Sequence, residues 1–468
     1  MKKRSKTGSS TKKRFKQRPA TQENQDVNAL EQLNYNAAGL DIGDAEIYAA
    51  VPEGRDKDCV RVFKTFTEDL HLLVDWLQHC CVTTVAMEST GIYWLPIYEM
   101  LEARGFEVYL VNARHIKNVT GKKTDIEDCQ WIQQLHTYGL LSASFRPAEE
   151  ICALRSLVRH RSGLITMCST QVQHMQKALQ LMNLKLTNVI SDITGLTGMR
   201  IIRDIVKGQR DAHQLAAHRD ERCAKSEKEI RKSLEGNYKS EHLFALKQAL
   251  QAYDFYQEQI SDCDVEIEKF YQTIEPRIDI KSHPLPKSQR KPRRPKGSDP
   301  CFNLRQHLYQ LSGVDLTQIE GINVLGAQAV LSEIGTDMSK WPTVKHFTSW
   351  LGLCPNNQVT GGKVMHRQTQ KNNNRAARAL RLAAQGVSIS KGTLGGYYRR
   401  QRARLGPAQA ITAIAHKLAR IIYAMLRNRT PYCEPASGYY EEQARQRAVK
   451  NLKRKANQLG FHLVEQAA

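Results

Sequence analysis

The stretch AAGLDIGDAEIYAAV (residues 37–51) decides the fold, because it is a long apolar run that carries an acid in its interior. Short runs of β-branched, aromatic and small apolar residues predict strands. CVRVFKTF (59–66) is a second such run, and only PEGRDKD (52–58) separates the two. A connection this short predicts an antiparallel hairpin between a strand over residues 37–51 and a strand over residues 59–66.

The patterns that follow alternate between helix and strand. Amphipathic stretches with a period near 3.6 predict helices, and short apolar runs between them predict further strands. The order strand, strand, helix, strand, helix, strand predicts an α/β domain with a mixed sheet. The segments are EDLHLLVDWLQHC (68–80, helix), VTTVAME (82–88, strand), GIYWLPIYEMLEARG (91–105, helix) and FEVYLVN (106–112, strand).

Two longer periodic stretches follow this domain. From Leu154 to Leu186, apolar residues recur in alternating steps of four and three, and a second such stretch runs from Leu243 to Phe270. This spacing is typical of coiled-coil helices. The two helices predict an antiparallel hairpin or an oligomerisation stalk, and a plain helical bundle core is the alternative.

The overall fold class that we expect is α/β plus all-α. The predicted order is a mixed-sheet metal domain, a long coiled-coil helical insert and a helical C-terminal domain. The boundaries are a disordered basic arm at 1–35, the mixed-sheet domain at 36–150, the coiled-coil region at 151–280, a basic Pro-rich linker at 281–300, a helical domain with a helix-hairpin-helix-like motif at 301–432, and a basic C-terminal helix at 433–468.

The charge of the chain limits its function. The 468 residues contain 69 Lys and Arg against 47 Asp and Glu, a formal charge of 69 − 47 = +22, which favours nucleic acid as the partner. We find no run near the ~20 apolar residues that span a bilayer, so we expect no membrane association. No apolar stretch follows the basic residues at the N-terminus, so we expect no secretion. The eleven cysteines include no CxxC pair, so we expect reduced thiols in a cytosolic protein.

Four acids stand out in the first domain. Asp41 interrupts an apolar strand and Glu88 ends another, while Asp125 and Asp128 lie three residues apart at a predicted helix start. Each has a simpler explanation when taken alone, because Asp125 or Glu88 could cap a helix and Asp128 could be a solvated acid. Together, they follow the pattern by which an RNase H-like domain gathers hard oxygen ligands. They predict a site for two Mg²⁺ or Mn²⁺ ions that act on a phosphodiester.

These residues carry a family resemblance. LDIG (40–43), MESTGIYW (87–94) and KTDIEDC (123–129) resemble the RuvC-like N-terminal domain of the DEDD transposases of the IS-one-ten (insertion-sequence one-ten) family. IEGINVLGAQAVLSEIG (319–335) and FTSWLGLCPNNQVTGGKV (347–364) resemble that family's C-terminal transposase domain. The resemblance spans about residues 36–430 and implies that the metal ligands are Asp41, Glu88, Asp125 and Asp128.

The resemblance also implies a nucleophile. In that family a serine, five residues after the proline of the GLxP turn, forms a covalent bond to DNA, and the corresponding residue here is Thr360. A threonine hydroxyl can attack a phosphodiester, but its extra methyl group crowds the approach and restricts χ1. Either the protein uses threonine, or it is a weakened copy that still assembles on RNA and DNA.

Basic residues predict where nucleic acid binds. The glycines after Thr360 allow close approach of a phosphate, and cations follow them. We interpret Lys371, Arg375 and Arg378 as one face of a helix, and Arg399 to Arg404 as a basic loop beside Tyr397 and Tyr398, whose rings we expect to pack rather than to stack on bases. The candidate contacts to nucleic acid are Gly361, Gly362, Lys363, Arg367, Lys371, Arg375 and Arg378.

The resemblance implies a recombinase of a mobile element that a bridge RNA guides to donor and target DNA. It further implies that the metal site of one subunit works with the hydroxyl of another, and the heptad pattern predicts a dimer or a tetramer. Two alternatives stay open. One is a RuvC-like, structure-selective nuclease that needs only the carboxylates, and the other is a catalytically silent binding member.

Overall fold

The computed structural model describes residues 31–89, 91–112, 124–288, 297–361, 363–369, 373–434, 439–462 and 464. These residues divide into two compact units, the first ending at Phe145 and the second beginning at Arg146. The predicted basic arm lies outside the described residues up to position 30, and most of the basic part of the linker, 289–296, also lies outside them.

A five-stranded mixed sheet forms the centre of the first unit, with the strand order β3-β2-β1-β4-β5. The first three strands are antiparallel, and β4 and β5 run parallel to β1. This is the mixed sheet that the sequence predicts, and with the helical remainder of the chain it fits an RNase H-like α/β domain. The strands are β1 (Ala37–Ile42), β2 (Glu46–Ala50), β3 (Val60–Lys64), β4 (Thr84–Glu88) and β5 (Glu107–Val111).

Helices cover both faces of this sheet. The apolar sides of α1 (Thr67–His79) and α2 (Trp94–Ala103) pack with Leu40 and Met87 in the larger core. On the opposite face, Ile132 of α3 (Asp125–Thr137) packs in a smaller core with Ala86 of β4. Because side chains alternate along a strand, neighbouring residues of β1 and β4 point to different helix layers.

The prediction of one continuous strand over residues 37–51 is wrong. The chain turns after Ile42, and Gly43 donates its backbone N–H to the carbonyl oxygen of Glu46 at 2.9 Å. This turn makes β1 and β2 an antiparallel pair within the apolar run. The polar Gly43-Asp44 step is a turn signal that the surrounding apolar residues obscure.

The second unit is mainly helical. Two of its helices have more than thirty residues each, and the others are shorter. The helices are α4 (Glu149–Leu181), α5 (Leu186–Val189), α6 (Leu196–Lys207), α7 (Ala212–Ala216), α8 (Glu227–Ser233), α9 (Ser240–Thr273), α10 (Leu304–Ser312), α11 (Val324–Ile334), α12 (Val344–Trp350), α13 (Arg375–Ser388), α14 (Thr393–Leu405), α15 (Pro407–Asn428) and α16 (Tyr439–Gln458).

Helices α4 and α9 form an antiparallel pair within the chain. Arg161 pairs with Asp264 near one end, Cys168 accepts a hydrogen bond from Gln257 at 3.2 Å, and Met175 shares a core with Leu246 towards the other end. This arrangement agrees with the predicted helical hairpin. Arg161 occupies a heptad position but is buried as one half of an ion pair, so the seam is not purely apolar. Assembly into a coiled-coil oligomer stays a prediction.

The C-terminal half contains one element that the sequence analysis missed. Strands β6 (Pro355–Thr360) and β7 (Lys363–Thr369) form an antiparallel hairpin in a region predicted as a loop among helices. Their polar residues show little of the apolar alternation that predicts a strand. The predicted basic loop around Arg399 to Arg404 is also wrong, since these residues lie in α14.

The glycine-bearing hairpin before α11 is packed against another helix. A Cβ atom on Gly321 would lie 2.6 Å from the carbonyl oxygen of Ala383 in α13, so only glycine fits there. The preceding Glu320 accepts a hydrogen bond from the backbone N–H of Leu394 at 3.1 Å. The glycine is therefore explained by helix packing, and a phosphate contact through this hairpin stays a prediction.

Candidate active site

The sheet places the first two acids side by side. Strands β1 and β4 are parallel neighbours, and Leu40 pairs with Met87. Asp41 and Glu88 each follow by one residue, so both lie at the same ends of strands that run about 4.8 Å apart. Since Leu40 and Met87 point into the core with α1 and α2, Asp41 and Glu88 lie on the face that α3 covers.

Gly39 allows α3 to lie directly on this face. A Cβ atom there would come within 2.3 Å of the backbone nitrogen of Gln133 and 2.4 Å of the carbonyl oxygen of Cys129. No residue with a side chain fits at this distance unless the helix moves. Asp41 is on the same face two residues further along β1, beside the part of α3 that precedes Cys129.

Helix α3 runs antiparallel to β1 and so brings its N-terminus to Asp41. At its far end the backbone N–H of Asn34 bonds to the carbonyl oxygen of Thr137, and further along the side-chain amide of Gln133 donates to Ala37 at 3.3 Å. Asn34 thus contacts the last residue of α3, and Ala37 at the start of β1 contacts a residue one turn earlier in α3. Residues further along β1 therefore lie nearer the start of α3. The first turn of α3, with Asp125 and Asp128, therefore lies next to Asp41.

A capping box fixes where α3 begins. Thr124 accepts from the backbone N–H of Glu127, and Glu127 accepts from that of Thr124, so Thr124 is the N-cap. The alternative that Asp125 caps the helix is therefore wrong. The residue that precedes α2 is Tyr93, so capping of that helix does not explain Glu88 either.

The four carboxylates share one electrostatic environment. The pKa of Asp41 is raised from 3.8 to about 6. Burial is the largest cause, followed by the negative charges of Asp125, Asp128 and Glu88 in that order. This group of like charges is unfavourable unless a proton or a cation neutralises it.

The chemistry of this set fits a hard divalent cation, because all four side chains offer carboxylate oxygens. Among the residues that the structure describes, no three Asp, Glu, His or Cys side chains are close enough to coordinate a single ion as they stand. The carboxylates therefore approach one another without forming a closed coordination sphere. A bound cation would have to draw them inward, and its positive charge would offset the repulsion that Asp41 experiences from the other three.

Tyr48 is a neighbour of the site that the sequence analysis missed. It pairs with Asp41 across β1 and β2, and the charge of Asp125 acts on it. Its hydroxyl donates a hydrogen bond to Glu46 at 3.2 Å, and this bond is the largest cause that raises the pKa of Tyr48. Glu46 also forms an ion pair with Lys64 at 2.6 Å. Recognition of the turn at Gly43 would have placed Glu46 and Tyr48 on the face of Asp41.

Thr360 belongs to the second unit. It ends β6, is exposed, and pairs with Lys363, the first residue of β7. Gly361 has φ +57°, and a Cβ atom there would meet nothing within 4 Å. Thr360 thus lies exposed at the end of a hairpin strand, and the residue after it has room for a side chain.

The candidate contacts to nucleic acid are only partly described. Gly362 and Lys371 lie outside the described residues, while Lys363 and Arg367 belong to β7. Arg375 and Arg378 are exposed, but α13 begins at Arg375 behind the cap Asn374. Two members of the predicted helical face, Arg375 and Arg378, therefore lie on α13, while Lys371 is outside the described residues.

Over the described part of the chain, no helix is both long enough and apolar enough to cross a bilayer. All eleven cysteines are unpaired.

Two family models match separate parts of the chain. Residues 38–184 match the model DEDD_Tnp_IS110, described as a transposase, and this range contains all four carboxylates. Residues 315–399 match the model described as transposase IS116/IS110/IS902 family, and this range contains Thr360.

Curated relatives agree with these matches. The chain is 32% identical over 119 residues to an "Insertion element IS110 uncharacterized 43.6 kDa protein" of Streptomyces coelicolor, which covers 25% of this chain and 29% of that protein. It is 31% identical over 127 residues to a "Probable family 20 transposase" of Pseudomonas aeruginosa, which covers 25% of this chain and 36% of that protein. The chain thus spans about a third of the length of these relatives.

Proposed function

The chain belongs to the IS110 (insertion-sequence one-ten) family of transposases, and from this premise we propose that it cuts and exchanges DNA strands. In this proposal Asp41, Glu88, Asp125 and Asp128 hold Mg²⁺ or Mn²⁺, and the hydroxyl of Thr360 is the nucleophile. A RuvC-like nuclease that hydrolyses branched DNA is the competing activity, since it needs the carboxylates alone.

One observation carries the proposal. The pKa of Asp41 is raised to about 6 because burial and three further carboxylates disfavour its charge. A protein gains nothing in stability from such a group, and perturbed carboxylates of this kind cluster at functional sites. The acids come from two strand ends and one helix, so the fold as a whole maintains their proximity.

The residues of the chain have distinct roles in this scheme. The carboxylates hold divalent cations, which when bound stabilise the entering and leaving oxygens of a phosphodiester displacement. Thr360, exposed at the hairpin tip, forms a bond from its Oγ1 to phosphorus while the bond to the departing strand breaks and that strand leaves with a free hydroxyl. The methyl group of Thr360 limits χ1, so a slower attack than that of a serine is expected.

The partners that we propose are a bridge RNA, donor DNA and target DNA. The charge of +22 supports a polyanionic partner. We also propose a homodimer or homotetramer in which the carboxylates of one subunit act with Thr360 of another.

The first experiment sequences the RNA that copurifies with the protein, and it supplies a DNA duplex complementary to that RNA as substrate. We expect a protein–DNA adduct that survives denaturation in SDS when Mg²⁺ is present. The adduct should disappear in Thr360→Ala and in Asp41→Asn, while Thr360→Ser should form it faster.

The alternatives give different outcomes. Cut DNA without an adduct would favour the RuvC-like nuclease. An inactive wild-type protein that Thr360→Ser activates would favour a silent binding member. No copurifying RNA would contradict guidance by a bridge RNA.

A further inference from the structure

Three C-terminal helices meet around one buried tyrosine. Tyr440, in the first turn of α16, is only 5% exposed. Its ring lies 5.2 Å from that of Tyr397 in α14, and its carbonyl oxygen accepts a hydrogen bond of 2.7 Å from Arg400. The ammonium group of Lys417 in α15 lies 4.7 Å from the centre of the same ring. Tyr440 therefore fixes the start of α16 against α14 and α15.

This junction gathers positive charge from two of the helices. Lys417 is half-buried, and Arg420 follows it by about one turn of α15. Arg447 follows Tyr440 by seven residues, about two turns of α16, so it lies on the side of that helix that faces Lys417, and its charge acts on Lys417 together with that of Arg420. Burial is the largest cause that lowers the pKa of Lys417, and these two arginines lower it further. The cations are therefore close neighbours that repel one another.

No acid among the described residues compensates these charges. Within the described residues, no Asp or Glu forms an ion pair with Lys417, Arg420 or Arg447. The nearby Glu434 accepts a hydrogen bond from the backbone N–H of Thr393 instead. A half-buried ammonium group among like charges is unfavourable, and the ring of Tyr440 offsets only part of that cost. An anion placed over the three cations would relieve the repulsion.

We propose that Lys417, Arg420 and Arg447 form a contact site for the phosphate backbone of a nucleic acid. This inference rests on the proposed function, which supplies nucleic acid as the class of partner. The site is separate from the β6–β7 hairpin, and its three residues lie beyond the second family match, which ends at residue 399.

The surroundings favour phosphates over bases and over an acidic protein. Tyr440 is buried and Tyr397 packs against it, so these rings do not offer a free face for base stacking. Further exposed cations, Lys450, Arg454 and Lys455, continue along α16. Cations repeated along a helix match a polymer with regularly spaced charges. Binding here should therefore be independent of nucleic-acid sequence.

The test measures binding by fluorescence anisotropy in EDTA, with labelled duplex DNA, single-stranded DNA and single-stranded RNA of arbitrary sequence, over a series of salt concentrations. The variant carries Lys417→Gln, Arg420→Gln and Arg447→Gln. The matched control carries Lys177→Gln, Lys228→Gln and Lys247→Gln, which remove the same charge from exposed positions of α4, α8 and α9.

For at least one probe, we expect the slope of log K against log salt to fall by about one for each residue of the site, thus about three in all. The control should change the slope less, and Lys417→Arg should bind as the wild type does. The probe with the largest change identifies RNA or DNA as the natural ligand. Equal slopes for site variant and control with every probe would overturn the proposal, as would a polyglutamate peptide that depends on the site as strongly as nucleic acid.

The readout separates this site from the active site. Binding in EDTA does not need the carboxylates, so Asp41→Asn should bind like the wild type even if catalysis fails. A thermal melt of the triple variant shows whether it is folded. If it is not, the three single substitutions, each with an expected slope change of about one, decide the question.

Discussion

Gly39 and Gln133 are in direct backbone contact, because a Cβ atom on Gly39 would lie 2.3 Å from the amide nitrogen of Gln133. This contact lays α3 on β1 and determines how far the first turn of α3 extends towards Asp41. The spacing of the carboxylates therefore depends on a residue that has no side chain.

Gly39→Ala should push α3 away from the sheet. Overpacking of this kind costs about 1–3 kcal/mol of unfolding free energy, measured by urea denaturation. Because Asp125 and Asp128 move with the helix, the affinity for Mn²⁺ should fall as well. Gly163→Ala in α4 is the control, since a Cβ there meets nothing within 4 Å. Unchanged stability in Gly39→Ala would show that the helix adapts and that the contact does not set the site.

Asp41→Asn should stabilise the metal-free protein at neutral pH. The folded-state pKa of Asp41, about 6, lies above its ordinary value of 3.8, so the folded state binds the proton more tightly. The stability that this proton provides is present at low pH and is lost as the pH rises from about 4 through 6. The amide is neutral throughout, and the gain should be about 1 kcal/mol after solvent screening.

Thermal melts in EDTA between pH 4 and pH 8 measure this effect. The melting temperature of Asp41→Asn should exceed that of the wild type by an amount that grows with pH. A variant that is less stable than the wild type at pH 8 would contradict the repulsion among the four carboxylates.

His136 should make the protein sensitive to mild acid. It is 1% exposed, its Nε2 lies 2.8 Å from the hydroxyl oxygen of Thr84, and burial lowers its pKa from 6.5 to about 4. The unfolded chain takes up a proton below pH 6.5 while the folded protein does not, so stability is lost as the pH falls from about 6.5 to 4. The loss should approach about 3 kcal/mol at pH 4.

Urea denaturation at several pH values checks this prediction against His136→Gln. The variant is expected to be less stable at pH 7 because it loses the fit of the imidazole, yet its stability should vary less between pH 6.5 and 4. An equal pH dependence in both proteins would rule out His136 as the cause.

Breaking the ion pair between Arg161 and Asp264 should strongly destabilise the α4–α9 pair. Both side chains are at most 4% exposed, and Arg161 donates two hydrogen bonds to the carboxylate at 2.5 and 2.9 Å. Arg161→Met leaves a buried charge without its partner, which costs about 3–5 kcal/mol. The double variant Arg161→Met with Asp264→Leu should recover most of that loss.

The ion pair of Arg203 and Asp254 is the control for these substitutions, because it joins α6 to the same helix α9 but is exposed to solvent. Arg203→Met should cost about 1 kcal/mol or less. If the double variant in the buried pair is no more stable than Arg161→Met, the pair does not act by mutual neutralisation.

The sequence predicts the α/β layers well, because strong periodicity and apolar runs define β4, β5 and the helices α1 and α2. It does not predict the turn at Gly43, because apolar residues on both sides hide a two-residue signal. Nor does it predict β6 and β7, whose polar residues gain their strand conformation from pairing with each other rather than from a buried face.

The four acids can be recognised from the sequence, but their arrangement cannot. The capping box at Thr124 and Glu127 is readable in the sequence and places Asp125 and Asp128 in the first turn of a helix. The direction in which that helix crosses β1, and the closeness that Gly39 permits, arise from long-range packing. Tyr48 was missed for the same reason, since its position opposite Asp41 follows from the pairing of β1 with β2.

The most direct test of the account measures binding of Mn²⁺ by electron paramagnetic resonance, with the full chain and its Asp41→Asn and Asp125→Asn variants. Asp58→Asn, at an exposed acid elsewhere in the first unit, serves as the control. We predict that the wild type and the control bind Mn²⁺ alike and that each site variant loses about tenfold or more in affinity. Equal binding by the wild type and Asp41→Asn would contradict a metal site at these carboxylates.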